Sequence, residues 1–256
     1  MWKFKRKLLY ALIIFVSVTA ILVFLMRGFL FPEPICTDGK KNGFETGIDC
    51  GGTCALICKN DVKQFSVLFS KAVTSGYETY DLVALVANAN IDNASREVGY
   101  TFVAYDEKGS ILKLLSGSTT VPLDGKFPLI IQSVKFPRPP VNVVVTLIDG
   151  PHYKVTENPT SPTVKISERK YEPGSIPRVY ATVVNTKRIV VLNLPVRVLL
   201  YDANDNVYAV AETVIPTLQK EEAKQIILTW NEPLPFAPTR IGVYPIFNPF
   251  EALPTY

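Results

Sequence analysis

Phe102-Val103-Ala104-Tyr105-Asp106 and Val198-Leu199-Leu200-Tyr201-Asp202 lie 96 positions apart, and the chain is organised around their likeness. Each is an apolar run that closes on Tyr-Asp and then meets turn residues, Glu107-Lys108-Gly109 after the first and Ala203-Asn204-Asp205-Asn206 after the second. A strand ending this way lays the ring against a sandwich edge, while the Asp side chain starts the turn. At the same offset Ile130-Ile131 matches Ile226-Ile227, and Val145 matches Ile241. Upstream, Leu82-Val83-Ala84-Leu85-Val86-Ala87-Asn88 matches Val179-Tyr180-Ala181-Thr182-Val183-Val184-Asn185 after a shift of one.

The surroundings agree with a strand reading. From Val62 onward apolar residues alternate with polar ones or form short runs rich in Val, Ile, Tyr, Phe and Thr, with turn residues roughly every ten positions. No later segment holds a helical period, apart from the short charged stretch Leu218 to Lys224. Proline, at 20 residues, outnumbers glycine, at 14, which favours strands and turns over long soluble helices. The expected fold class is all-β: an N-terminal transmembrane helix, a short disulfide-stapled loop and two tandem immunoglobulin-like β-sandwiches. The expected boundaries are a basic tip and anchor at 1–30, a Cys/Gly-rich collar at 31–60, sandwiches at 61–150 and 163–256, and a linker at 151–162.

The F-x-x-Y-D and V-x-L-Y-D segments resemble the FxLYD domain, a small immunoglobulin-like sandwich related in shape to the water-stress sandwiches of the late-embryogenesis-abundant type. Ala104 replaces the family's Leu in the first copy, and Val198 replaces its Phe in the second. Both replacements are apolar and preserve an inward face. The resemblance implies an extracytoplasmic setting and no catalytic role.

Leu8 to Met26 is a run of 19 residues without a charge. At about 1.5 Å per residue it crosses the roughly 30 Å hydrocarbon layer. Ser17 and Thr19 are tolerated because their hydroxyls can bond back to the helix. Lys3, Lys5, Arg6 and Lys7 precede the run and Arg27 follows it, so the positive-inside rule puts the N-terminus in the cytoplasm and the body outside. A cleaved signal peptide is the competing reading. Val18-Thr19-Ala20 is a faint cleavage site, but six apolar residues follow it, more than such a peptide needs. Glu33-Pro34-Ile35 before Cys36 is unlike a lipidation signal, and Leu253-Pro254-Thr255-Tyr256 carries no wall-sorting motif.

Cys36, Cys50, Cys54 and Cys58 fall within 23 residues that also hold Gly39, Gly43, Gly47, Gly51 and Gly52. Such a chain of tight turns has almost no core, so something covalent must hold it. Outside the cell that is a pair of disulfides, in one of three connectivities. A four-thiolate zinc site is the rival, against which the ligand spacing speaks. Asp38, Glu45 and Asp49 are candidate calcium ligands, though without EF-hand spacing. The stretch matches the pattern C-x-D-G-x-x-N-G-x-E-x-G-x-D-C-G-G-x-C-x-x-x-C and resembles a cysteine-rich motif of bacterial surface proteins, which implies location and not activity.

Charge and motif content narrow the chemistry. Residues 1–30 hold five basic groups and no acid, and the remainder has 22 basic against 23 acidic groups, so the body lacks a nucleic-acid footprint. The single histidine, His152, follows Asp149-Gly150-Pro151 and reads as an exposed linker residue. Ser167-Glu168-Arg169-Lys170 fits S-x-x-K, but lies in a strand-like segment without the partner motifs. No P-loop or G-x-G-x-x-G is present, so no cofactor is expected. Glu221-Glu222 reads as a solvated turn, and Asn93-Ala94-Ser95 is a formal glycosylation acceptor. Phe236, Tyr244, Phe247 and Phe250 are placed either at the base of a sandwich core or in an exposed docking patch.

The expectation is a non-catalytic, membrane-anchored interaction or scaffold protein of a prokaryotic envelope. Its partners would be the bilayer, through the helix, and an envelope protein. Two alternatives stand beside it: an ectodomain that binds glycan or another surface polymer, and an accessory subunit of a secretion or envelope complex. A glycan binder predicts an aromatic and polar concavity, ideally in both copies.

Overall fold

Strand pairing reproduces the sequence repeat. The computed structural model describes residues 2–26, 35–123, 125–155 and 163–250, with the backbone alone at 3–5. Arg27, the start of the collar at 31–34, the linker residues 156–162 and the C-terminal Leu253 to Tyr256 lie outside the described residues. The chain divides into two units, Met1–Ala55 and Leu56–Tyr256.

The first unit holds helix α1 (Trp2–Leu25) and most of the collar. Arg6–Leu25 is long and apolar enough to cross a membrane. Its side chains are exposed, as those of a helix solvated by lipid would be. The Thr19 hydroxyl donates to the Phe15 carbonyl at 2.8 Å, so this polar group is satisfied within the helix.

The second unit is built of antiparallel strands. The first copy contributes β1 (Ser66–Gly76), β2 (Thr79–Asn88), β3 (Asn93–Ser95), β4 (Val98–Tyr105), β5 (Ile111–Thr119), β6 (Gly125–Lys135), β7 (Asn142–Ile148) and β8 (His152–Lys154). The second contributes β9 (Val164–Glu172), β10 (Arg178–Asn185), β11 (Val191–Tyr201), β12 (Val207–Leu218), β13 (Ala223–Thr229) and β14 (Arg240–Pro245). Sheets β1-β2-β6 and β5-β4-β7 form one sandwich, and sheets β9-β10-β13 and β12-β11-β14 the other, with the same strand order in each pair. The fold is thus all-β, with two tandem sandwiches and one apolar N-terminal helix.

Two expectations need correction. Residues 152–154, assigned to the linker, form β8, which pairs with β3 through Asn93↔Lys154, Ala94↔Tyr153 and Ser95↔His152. Leu218 to Lys224 is not helical: it ends β12, turns at residues 219–222, where Glu221 takes φ 56°, and begins β13. The charges that suggested a helix are the solvated residues of that turn.

Each sandwich has its own core. Leu82, Ala84, Val86, Phe102, Phe127 and Leu129 centre the first, and Val179, Val183, Leu194, Val198, Leu200 and Ile215 the second. A third core joins the two sandwiches. Val73, Val83, Leu85 and Ile130, on the outer face of β1-β2-β6, pack against Leu199, Tyr201, Val207 and Val210, on the outer face of β12-β11-β14. The centres of β2 and β11 are therefore apolar on both faces. In β2, Val83 and Leu85 enter the shared core, while Leu82, Ala84 and Val86 enter its own sandwich. Burying each Val or Leu contributes about 1.5–3 kcal/mol.

Arg197 lies at this junction. It is buried, its Nε donates to Glu212 Oε2, and its Nη1 reaches the first sandwich at the Pro128 carbonyl (2.7 Å) and Thr119 Oγ1 (3.2 Å). Without that guanidinium, the Pro128 carbonyl loses a charge-assisted bond in a buried place.

The shared core makes the two sandwiches one cooperative unit. Leu199→Ala is expected to cost about 2–5 kcal/mol and Arg197→Ala about 2–3 kcal/mol, discounted for the partial exposure of Glu212. In urea denaturation, Arg197→Ala is expected to broaden or split a single transition. A sharp, unshifted transition would show that the sandwiches do not stabilise each other.

Candidate interaction site

The Tyr-Asp motifs build matching turns. Asp106 Oδ1 accepts from the backbone N–H of Lys108 (3.0 Å) and Ser110 (2.9 Å), and Asp202 Oδ1 accepts from Asn204 and Asn206 (both 2.8 Å). Gly109 and Asp205, again 96 apart, both take positive φ, 78° and 62°. Asp106 Oδ2 faces Arg138 Nη1 at 3.1 Å. The backbone bonds at Asp202, that from Asn206 foremost, hold its carboxyl below the usual carboxylate range. These carboxylates are engaged in the turns. Phe102, Val198 and Leu200 fill the sandwich cores. Tyr201 enters the shared core, stacked under the Arg240 guanidinium, while Tyr105 is half-buried on an outer face.

A second repeated polar clamp went unassigned in the sequence. Asn88 and Asn185 end β2 and β10 and are both buried. Asn88 Nδ2 donates to the Pro122 carbonyl, and its Oδ1 accepts from Asn90 N. Asn185 Nδ2 donates to the Ile189 and Gln219 carbonyls, and its Oδ1 accepts from Lys187 N. The signal was present, since both closed the aligned heptapeptides.

The collar is a set of turns clamped by carboxylates. Asp49 accepts from Asp38 N and Gly39 N at 2.9–3.1 Å, and Asp38 accepts from Lys40 N and Asn42 Nδ2. Buried Glu45 accepts from the N–H groups of Asn42 and Asp49 at 3.3 Å. The three calcium candidates thus lie together, each turned toward N–H donors. Gly52 passes so close to the Phe44 carbonyl that a Cβ would sit 1.5 Å from its oxygen, and only glycine fits. Cys36 joins Cys54, and Cys50 and Cys58 are disulfide-bonded as well, so no described cysteine is free. Cys36, Glu45 and Cys54 present a sulfur or oxygen within 4.8 Å of one another, but sulfurs joined in a disulfide are not thiolate ligands.

His152 is corrected from exposed linker residue to buried clasp. Its Nδ1 lies 2.6 Å from Asn93 Oδ1, its Nε2 lies 2.9 Å from Asp149 Oδ1, and the Phe65 ring packs beside it at 5.9 Å. Both ring nitrogens are engaged, and Asn93 is itself buried in β3. Ser167 and Lys170 lie on exposed strand β9, away from the helical setting S-x-x-K chemistry requires. Glu221 pairs with Arg188 at the surface. Of the C-terminal aromatics, Tyr244 and Phe247 pack against buried cores, whereas exposed Phe236 stacks on Tyr208 at 4.4 Å. Phe250 meets Tyr153 edge-on at 6.3 Å.

Two of the clefts among the described residues lie between the sandwiches. One, of about 450 Å³, holds Lys71, Asp81, Tyr208, Trp230 and Glu232. Burial raises the Asp81 carboxyl pKa, against bonds from Ser133 N (2.8 Å) and Ser75 Oγ (3.0 Å), and pushes Tyr208 up to about 12. The other, of about 670 Å³, is lined by Arg96, Glu97, Ser118, Thr120, Asn248 and Phe250 among others. There the Arg96 guanidinium lies 5.3 Å from the Tyr153 ring and 5.5 Å from Phe250.

No family model matches the chain. No curated protein matches it either. Among solved structures it is similar to red sea bream transglutaminase, at 13% identity and a TM-score of 0.20, over 71% of this chain and 29% of that one. This chain therefore spans under a third of that enzyme's length, and a TM-score so low carries no argument about chemistry.

Two outcomes follow. Dithiothreitol is expected to open the collar, whose 18-residue Cys36–Cys54 separation is worth about 3 kcal/mol. Trypsin would then cut at Lys40 and Lys41 while the strand-rich unit keeps its circular dichroism; resistance of the reduced collar would contradict this. Asp81 binds its proton more tightly folded than unfolded, so stability declines as pH rises from about 4 through its folded pKa. Asp81→Asn, which keeps the acceptor oxygen, is expected to raise Tm at pH 7 and to lose that advantage near pH 4. A lower Tm at pH 7 would show that the charge itself is needed.

Proposed function

We propose that this protein is a membrane-anchored, non-catalytic interaction module of a prokaryotic cell envelope. Its N-terminus lies in the cytoplasm, and two FxLYD-type sandwiches stand outside. The observation that carries this reading is a disulfide-held collar following an apolar helix, in a chain whose conspicuous polar residues are engaged in structure. Disulfides belong to oxidising compartments, and the basic residues before the helix favour an inside N-terminus. Asp106, Asp202, Asn88, Asn185 and His152 each hold a turn or a strand end. A nucleophile, base and oxyanion donors do not converge among the described residues.

A second reading is favoured by the larger cleft. Hydroxyl and amide groups beside Phe250 and an aromatic-stacked Arg96 suit a carbohydrate or other polar polymer. In-cell cross-linking of C-terminally tagged full-length chain, followed by identification of co-purifying proteins, separates the two. A recurrent protein partner is the expected result. Good expression without one would move the assignment to polymer binding, checked by titrating envelope glycans against the soluble body and an Arg96→Ala variant.

A further inference from the structure

The repeat leaves one sheet face in an unusual state. In the second sandwich, the outer face of β12-β11-β14 is sealed by the shared core, with Leu199, Tyr201, Val207 and Val210 all buried. Ninety-six residues earlier stand Val103, Tyr105, Ile111 and Leu114, on the outer face of β5-β4-β7. They are apolar or aromatic too, yet among the described residues the patch stays open: Ile111 is 62% exposed and Leu114 61%, with Val103 and Tyr105 half-buried. Register continues the patch onto β7, where Val144 lies opposite Val103 and exposed Ile148 opposite Gly99. The remaining outward positions of the three paired strands are Gly99, Thr101, Ser116, Ser118, Asn142 and Thr146, so the face carries no charge. Charge begins at its rim, with the Asp106–Arg138 pair.

Surfaces of soluble domains are seldom uncharged over three strands, and a charge-depleted centre within a polar rim is the anatomy of an interface. The shared core shows what such a face accepts, namely another uncharged sheet face. The outer side of β9-β10-β13 does not qualify, because it presents Glu168, Lys170, Glu172 and Arg178. Docking those charges on an apolar face would desolvate them without partners.

We propose that the outer face of β5-β4-β7 binds the same face of a second copy of this chain, as a two-fold, self-complementary contact. Three strands of about eight residues, at roughly 3.3 Å rise and 4.8 Å spacing, give about 400 Å² per face and about 800 Å² in total, the size of a weak interface. A weak contact of that size gains from anchoring both copies in one bilayer, which raises their effective concentration. The inference rests on the anchored-module reading and adds a partner and a surface to it.

The test uses full-length chains with two different tags, co-expressed and kept in their membranes. A photo-reactive benzoylphenylalanine placed at Val144 is expected to give, on irradiation, an adduct carrying both tags. Leu114→Glu is expected to reduce that adduct at least about tenfold, a change of about 1.4 kcal/mol or more. Because Leu114 is exposed, Tm should not move. Ile227→Glu, on the outer face of β13, should leave the adduct intact. An adduct with a different protein, no adduct, or a two-tag adduct indifferent to Leu114→Glu would each overturn the proposal. The first of these would retain the interaction-module reading, whereas in-cell cross-linking without a protein partner would remove that reading and leave a two-tag adduct standing.

Discussion

The structure depends on sealing one sheet of each sandwich against the other. Val83 and Leu85 cannot face water, and neither can Leu199 and Tyr201, so the two copies are held in a fixed pairing of faces. That constraint accounts for the apolar runs Leu82 to Val86 in β2 and Val198 to Tyr201 in β11, for the buried arginine that crosses the junction, and for the clefts at its margins. Isolated turns and caps could vary without changing the architecture. This contact could not, since each of its members contributes on the scale of a kilocalorie or more.

Much of this was legible in the sequence. Strand periodicity and the 96-residue offset mark the two sandwiches, and the Tyr-Asp turns follow from side-chain chemistry. The order of the layers was also written there, in the contrast between copies. Leu82 to Val86 is unbroken and apolar, while its counterpart Val179 to Val183 alternates, with Tyr180 and Thr182 facing out. Conversely, β4 alternates and β11 does not. A strand buried on one face alternates and a strand buried on both does not, so the contrast marks the inner sheets.

Other features left weaker traces. Arg197 is the one charge inside Leu194 to Tyr201, and a lone charge in an apolar strand signals a buried partner, but the sequence does not say that the partner is the Pro128 carbonyl. His152 was misread because Gly150-Pro151 announces a turn and a three-residue strand has no period to detect. In the collar the cysteines were evident. The pairing of Cys36 with Cys54 was not, because glycine-rich turns leave no register from which proximity can be counted.

The shared core also bears on how the two halves can change over time. While two copies of a domain are independent, a segment of one can replace the matching segment of the other without harm. Here that freedom is gone. Transferring Tyr180 and Thr182 into the place of Val83 and Leu85 would put polar groups where the halves meet. Each copy has become particular to its position, and residues 96 apart descend under different constraints although they occupy equivalent points of the same fold.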